Sequence, residues 1–157
     1  MKLSARQTYP ATPAEVHAML TDEAFLTQMA TEAGAVEQRV VATAARTAVE
    51  VAVPSPAEVR TFLGPHLTLV LDTAYGDADA DGARSGQLTI TVPGAPVTAG
   101  AAFRLVPTAS GTQLTYDGDL TVNVPLMGRS IEKKAAPEIL DALAAQERAG
   151  QRWLQGR

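Results

Sequence analysis

The apolar and polar positions of this chain pass through three successive regimes. Leu3, Ala5, Gln7 and Tyr9 alternate with Lys2, Ser4, Arg6 and Thr8, the period of a strand that Pro10 ends. Helical spacing follows. Thr12 as N-cap, Pro13 at the first helical position and Glu15 three residues past the cap form a capping box, and Val16, Met19 and Leu20 give that helix an apolar edge. A second short helix, capped by Thr21 or Asp22, runs through Ala24, Phe25, Leu26 and Met29 and stops at Gly34.

From Ala35 the period becomes two. Val36–Ala45 and Arg46–Val53 read as a strand pair, with Thr47, Val49, Val51 and Val53 on one face. Pro54-Ser55-Pro56 breaks the run, Glu58–Leu63 can make one helical turn, and Gly64-Pro65 ends it. His66–Tyr75 resumes the alternation with Leu67, Leu69, Leu71 and Thr73 aligned, and the acidic stretch Gly76–Gly82 reads as a hairpin loop. Three more strands align Leu88, Ile90 and Val92, then Ala101, Phe103 and Leu105, then Leu114, Tyr116, Gly118, Leu120, Val122 and Val124. The last alternates cleanly with Thr115, Asp117, Asp119, Thr121 and Asn123, which predicts one buried and one wet face, as in an antiparallel sheet.

After Pro125-Leu126-Met127-Gly128 the spacing is helical from Arg129 to Trp153. Ala135, Ile139, Leu140, Leu143 and Ala144 form a stripe that Trp153 and Leu154 extend, with Glu132, Lys133, Glu138, Asp141, Gln146 and Arg148 off it. Pro137 is expected to kink this helix or to start its second half. Unkinked, it would reach roughly 38 Å, enough to cross a small sheet. The pattern therefore predicts one α+β domain over residues 1–157. A curved antiparallel seven-stranded sheet wraps around a long C-terminal helix, and two short helices follow the first strand.

Composition narrows the chemistry. Apolar residues make up 46% of the 157, but only seven are aromatic, so the interior is built from Ala, Val and Leu. A chain this long can bury roughly 70% of its unfolded surface without a metal or disulfide. Cysteine is absent, which removes thiol catalysis and thiolate metal sites and fits a reducing cytoplasm. A net charge of −4 argues against non-specific binding to nucleic acid or anionic membrane. No uninterrupted apolar run approaches membrane-spanning length, and the first residues lack the apolar core of a signal peptide. No pattern sets an oligomeric state.

Candidate chemistry is sparse. His17 and His66 lack any third partner that would complete a Ser-His-Asp arrangement. Asp77, Asp79, Asp81 and Gly82 match the first half of a calcium loop, but Leu88 stands where a bidentate Glu is needed, so no metal site is expected. Asp117 and Asp119 share a strand face opposite the apolar one, where Arg104 and Thr115 can pair with them. Tyr9, Tyr75, Tyr116 and Trp153, each with an apolar body and a polar tip, are the candidates for specificity.

The element order, the start Tyr9-Pro10-Ala11-Thr12-Pro13-Ala14-Glu15-Val16 and the ending Gly128-Arg129-Ser130-Ile131-Glu132-Lys133-Lys134 together resemble the helix-grip superfamily. That superfamily comprises the START, Bet v 1-like and polyketide cyclase-like (SRPBCC) proteins. Within it the chain is most similar to a small actinobacterial group of unknown function. The resemblance implies a cavity between sheet and last helix that takes a small hydrophobic, lipid-like or polyketide-like molecule, with no cofactor. Leu69, Leu71, Ile90, Phe103, Tyr116, Leu120, Ile139 and Leu143 are the residues expected at that pocket. Such walls offer little chemistry, so carriage or sensing is more natural than catalysis. Two other readings stay open. One is a cyclase or dehydratase acting on an aromatic or polyketide substrate through Tyr116, His17 or Asp117. The other is a ligand-free interaction module using outward Val and Ala positions of Val40–Val53.

Overall fold

The computed structural model describes residues 1–156 apart from the side chain of Glu58, and its elements follow the order read from the pattern. Strand β1 (Lys2–Tyr9) leads into α1 (Pro13–Leu20) and α2 (Glu23–Glu32). Strands β2 (Glu37–Ala42) and β3 (Arg46–Pro54), the short α3 (Ala57–Leu63), and strands β4 (His66–Tyr75), β5 (Arg84–Thr91), β6 (Val97–Thr108) and β7 (Gly111–Val122) follow, and α4 (Gly128–Gln155) ends the fold.

Local signals start the helices. Thr12 Oγ1 accepts from the Glu15 amide at 3.2 Å while the Glu15 carboxylate accepts from the Thr12 amide at 3.4 Å, completing the capping box. Asp22 caps α2 by accepting from the Ala24 and Phe25 amides. Strand β2 is shorter than the alternation suggested. The Thr43 amide and hydroxyl both donate to the Arg46 carbonyl, and that tight turn takes residues 43–45 out of the ladder. Helix α4 continues through Pro137 as one element. It is held on both sides of the proline: Glu132 accepts from the Val122 amide at 3.0 Å, and Gln7 donates to the Leu143 carbonyl at 2.8 Å.

The seven strands form one curved antiparallel sheet in the order β1-β7-β6-β5-β4-β3-β2. Directly opposed residues share a face, so the register defines rows across the concave side. One row runs Leu120, Ala99, Ile90, Leu71, Val49, Val40. The next runs Leu3, Gly118, Ala101, Leu88, Thr73, Thr47. A third runs Ala5, Tyr116, Phe103, Gly86, Tyr75. Gly86 is required where it stands, because a Cβ there would lie 2.2 Å from the Phe103 ring and 2.3 Å from the Ala74 carbonyl oxygen.

Helix α4 lies on the concave side, packed mainly on β1 and β7. Burial along it is uneven. Ala149, Gly150 and Leu154 are buried, whereas Ile139 and Leu143 are only partly covered. The dense core collects at the C-terminal end of α4, where Tyr9, Val16, Met19, Leu20, Phe25, Phe103, Leu105, Leu114, Ala149 and Leu154 pack together. Helix α4 also completes the outer edge of β1. Glu147 accepts from the Thr8 amide at 2.7 Å, and Gln151 donates to the Thr8 carbonyl at 2.9 Å. No helix among the described residues is long and apolar enough to cross a membrane.

Candidate functional site

The site follows from where small side chains fall on the concave face. Ala5, Ala99, Ala101 and Gly118 sit beneath the middle of α4, and they leave space that larger residues would fill. The result is an apolar cavity of about 60 Å³ between sheet and helix. Leu88, Ile90 and Tyr116 wall it on the sheet side, and Ile139, Leu140 and Leu143 on the helix side. A cavity that size is well short of the roughly 300 Å³ at which small-molecule pockets begin. The apolar surface does not end at its walls. Leu67, Leu69, Leu71 and Val49 continue the same face across β4 and β3 and are only half-buried, because α4 rests on the other half of the sheet.

Of the eight residues expected at a pocket, Ile90, Tyr116, Ile139 and Leu143 line this cavity. Leu71 is the cross-strand partner of Ile90, and Leu69 lies two positions along the same face. Phe103 is 4% exposed, and its ring sits between Tyr75 at 5.2 Å and Tyr116 at 5.8 Å, so it forms the floor between cavity and core. Leu120 lies in the same row as Ile90 but is 2% exposed and packs as core.

One polar cluster borders the cavity, and half of it was misplaced by the helical stripe. Gln146 had been set among the polar positions off the stripe, yet it points inward beside Leu143. Its spacing of three from Leu143 and seven from Ile139 carries that signal. Gln146 Nε2 donates to Gln7 Oε1 and to the Tyr116 hydroxyl, each at 3.2 Å. The Tyr9 hydroxyl donates to Gln7 Oε1 at 2.6 Å. Burial pushes the phenols of Tyr9, Tyr75 and Tyr116 well above the usual tyrosine range, so all three are neutral donors at physiological pH.

His17 is buried rather than at the surface. Its Nε2 is 2.7 Å from the Ala44 carbonyl oxygen, and its ring stacks edge-on against Tyr75 at 4.9 Å. Burial is the largest influence and lowers its pKa, outweighing the hydrogen bond to Ala44, and Arg84 adds to the lowering. The native state therefore holds the neutral ring more firmly than the unfolded chain, whose His titrates near 6.5. Stability is expected to be full above about pH 6.5 and to fall as pH drops below it, because the unfolded state then binds the extra proton. The check is a melting-temperature profile from pH 7.5 to 5. His17→Gln should flatten that part of the curve, and a variant with the wild-type slope would refute the assignment.

The remaining candidates lie away from the cavity or bound into local structure. Asp117 and Asp119 are exposed on the outer face, with Asp119 3.9 Å from Lys2 Nζ. Arg104 is paired with Asp79 at 3.9 Å rather than with the β7 aspartates. Asp79 accepts from the Asp81 and Ala83 amides, so it builds the hairpin turn. No group of three potential metal ligands exists among the described residues. Trp153 stacks edge-on against Phe25 at 5.3 Å and belongs to the core end.

Solved structures share this architecture. A STAR-related lipid transfer protein fragment from Xanthomonas axonopodis superposes with a TM-score of 0.66 at 17% identity, over 98% of this chain and 85% of that one. A START superfamily protein from Mycobacterium smegmatis gives 0.59 at 19% identity, covering 98% of each chain. Norcoclaurine synthase from Thalictrum flavum, in complex with dopamine and hydroxybenzaldehyde, gives 0.61 at 10% identity, over 100% of this chain and 88% of that one. At such identities the likeness is one of fold, and the fold is the helix grip. No curated protein matches the sequence. A family model does match, over residues 4–154, and the chain belongs to that family, described as "Protein of unknown function (DUF2505)".

Proposed function

We propose that this protein binds and carries a small hydrophobic, lipid-like or polyketide-like molecule between the concave sheet and α4. The observation that carries the reading is the uncovered apolar stripe. Leu69, Leu71 and Ile90 on the sheet and Ile139 and Leu143 on the helix face a common space and are only half-buried. Interiors normally close such surfaces at crystal-like density. A guest would remove them from water at about 25 cal/mol per Å² before the costs of association. Phe103, Tyr116 and Leu120 complete the proposed site, as its floor, polar wall and inner end. The present cavity of about 60 Å³ means that α4 must shift outward to admit a guest. A cytoplasmic, actinobacterial setting is part of the reading, supported by an Ala-rich chain with ten Arg to three Lys and no cysteine.

Lipid-transfer and START-superfamily relatives of the fold support carriage over catalysis. Among the residues on which the enzyme reading rested, Asp117 faces away from the cavity and His17 is engaged with Ala44 and Tyr75, so Tyr116 is left without an adjacent base.

Leu143→Trp tests the reading by placing a bicyclic ring where the guest would lie. The variant should lose at least tenfold in affinity for the neutral dye N-phenyl-1-naphthylamine, while its melting temperature falls by less than about 4 °C. Unchanged dye binding would remove the site. A loss of about 3 kcal/mol of stability would mean that the space is already full.

A further inference from the structure

The hydrogen bonds around the cavity run in one direction, and that direction selects the ligand. Gln7 Nε2 donates to the Leu143 carbonyl at 2.8 Å, and a carbonyl can only accept, so the Gln7 amide cannot be reversed. Gln7 Oε1 is thereby turned toward Tyr9 and Gln146 and accepts from both. Gln146 must then present its NH₂ to Gln7, because its carbonyl oxygen there would face another acceptor. The second N–H of that group goes to the Tyr116 oxygen at 3.2 Å. Tyr116 is thus an acceptor within the protein, and among the described residues no acceptor takes its own proton. The Tyr116 side chain lines the cavity. Burial keeps the phenol neutral, so that proton remains available.

The other walls exclude charge. Beside Tyr116 the cavity is bordered by aliphatic side chains, and its one ionisable neighbour apart from tyrosine is Asp119, which is negative. No cation is placed to offset a buried carboxylate or phosphate, and burying an unpaired charge costs several kcal/mol.

We propose that the site is specific for an uncharged apolar molecule bearing a carbonyl-type oxygen acceptor, which receives the hydroxyl proton of Tyr116 as its one directed polar contact. This rests on the ligand-binding reading above and narrows it. Hydrocarbons would leave the phenol unpaired, acids would bring an uncompensated charge, and a ketone, aldehyde or ester satisfies the chain of donors that starts at Gln7. Tyr116 is a specificity residue here; nothing in the arrangement requires a reaction.

The test uses two probes of nearly equal shape, 2-acetylnaphthalene and 2-isopropylnaphthalene, titrated into the wild type and Tyr116→Phe by equilibrium dialysis. The substitution should weaken the ketone about fivefold, the span of one net hydrogen bond, and leave the hydrocarbon unchanged or slightly tighter. A difference infrared spectrum with the ketone ¹³C-labelled at its carbonyl should show a band at lower frequency in the wild type than in Tyr116→Phe. A purely structural role for Tyr116 would weaken both probes alike and leave the band in place, and that result overturns the proposal. If the wild type binds the hydrocarbon and not the ketone, the proposed polarity is wrong while the site stands. If it binds neither, both the site and its specificity fall.

Discussion

Leu105→Ala is expected to cost the fold about 3 kcal/mol, whereas Leu71→Ala should cost less than about 1 kcal/mol, although the two remove the same atoms. Leu105 is 0% exposed and faces Leu114, also 0% exposed, across the β6–β7 ladder. Both belong to the core built with α1, α2 and the C-terminal half of α4. Truncation there loses packing on every side and leaves a void that the surrounding rings of Phe25 and Phe103 cannot fill. Leu71 lies in the half-buried stripe beside the cavity and has fewer atoms to lose. Against a total of about 5–15 kcal/mol, the first loss is large and should lower the melting temperature by roughly 6–12 °C. Urea unfolding of the two variants checks the contrast. Equal losses would mean that the sheet is packed uniformly and that no part of it is held in reserve for a guest.

Gly150→Val is expected to destabilise by about 2 kcal/mol or more, in opposition to helix propensity. Replacing a glycine inside an exposed helix ordinarily gains up to ~1 kcal/mol. Here an added Cβ would stand 2.5 Å from the Tyr9 ring, 2.9 Å from Met19 Cε and 3.3 Å from its sulfur. The methionine can swing away. Tyr9 cannot, because it is 2% exposed and its hydroxyl is tied to Gln7 at 2.6 Å. The helix must lift instead, at an overpacking cost of about 1–3 kcal/mol for the first methylenes and more for valine's two extra methyls. Because α4 carries Leu143 and Gln146 on the same face, lifting should also break their links to Gln7. Acrylamide should then quench Trp153 more strongly than in the wild type. A variant as stable as the parent, with an equally shielded Trp153, would show that α4 is not seated through Gly150.

These two substitutions also mark what the chain discloses and what it withholds. The strict alternation of Leu114, Tyr116, Leu120 and Val122 against Asp117, Asp119 and Thr121 made β7 and its buried face plain, because a period of two admits no other arrangement. The Thr12–Glu15 box set the start of α1 for an equally local reason. Helix α4 was harder. Leu140 and Ala144 attract attention by hydrophobicity, yet Leu140 is 38% exposed, while the seat is made by the inconspicuous Ala149 and Gly150. Gln146 was placed on the wrong side because polarity outweighed spacing, although a glutamine can be buried when partners wait for it. His17 had no local mark, since the Ala44 carbonyl that holds it comes from a turn 27 residues away in sequence. The hollow was legible only as a fold resemblance. Alanines at 5, 99 and 101 can equally be core, and only the register beneath α4 turns them into space.

The side chains that α4 sends to Thr8 have a consequence for the protein's solution behaviour. A free strand margin offers amide and carbonyl groups to any extended segment it meets, and chains with such margins can join into fibrils. Glu147 and Gln151 occupy both groups of Thr8, so at that point the first strand has nothing left to share. The terminal helix thus guards the sheet against its own kind, and losing its last turns would turn a monomer-sized fold into a template for aggregation.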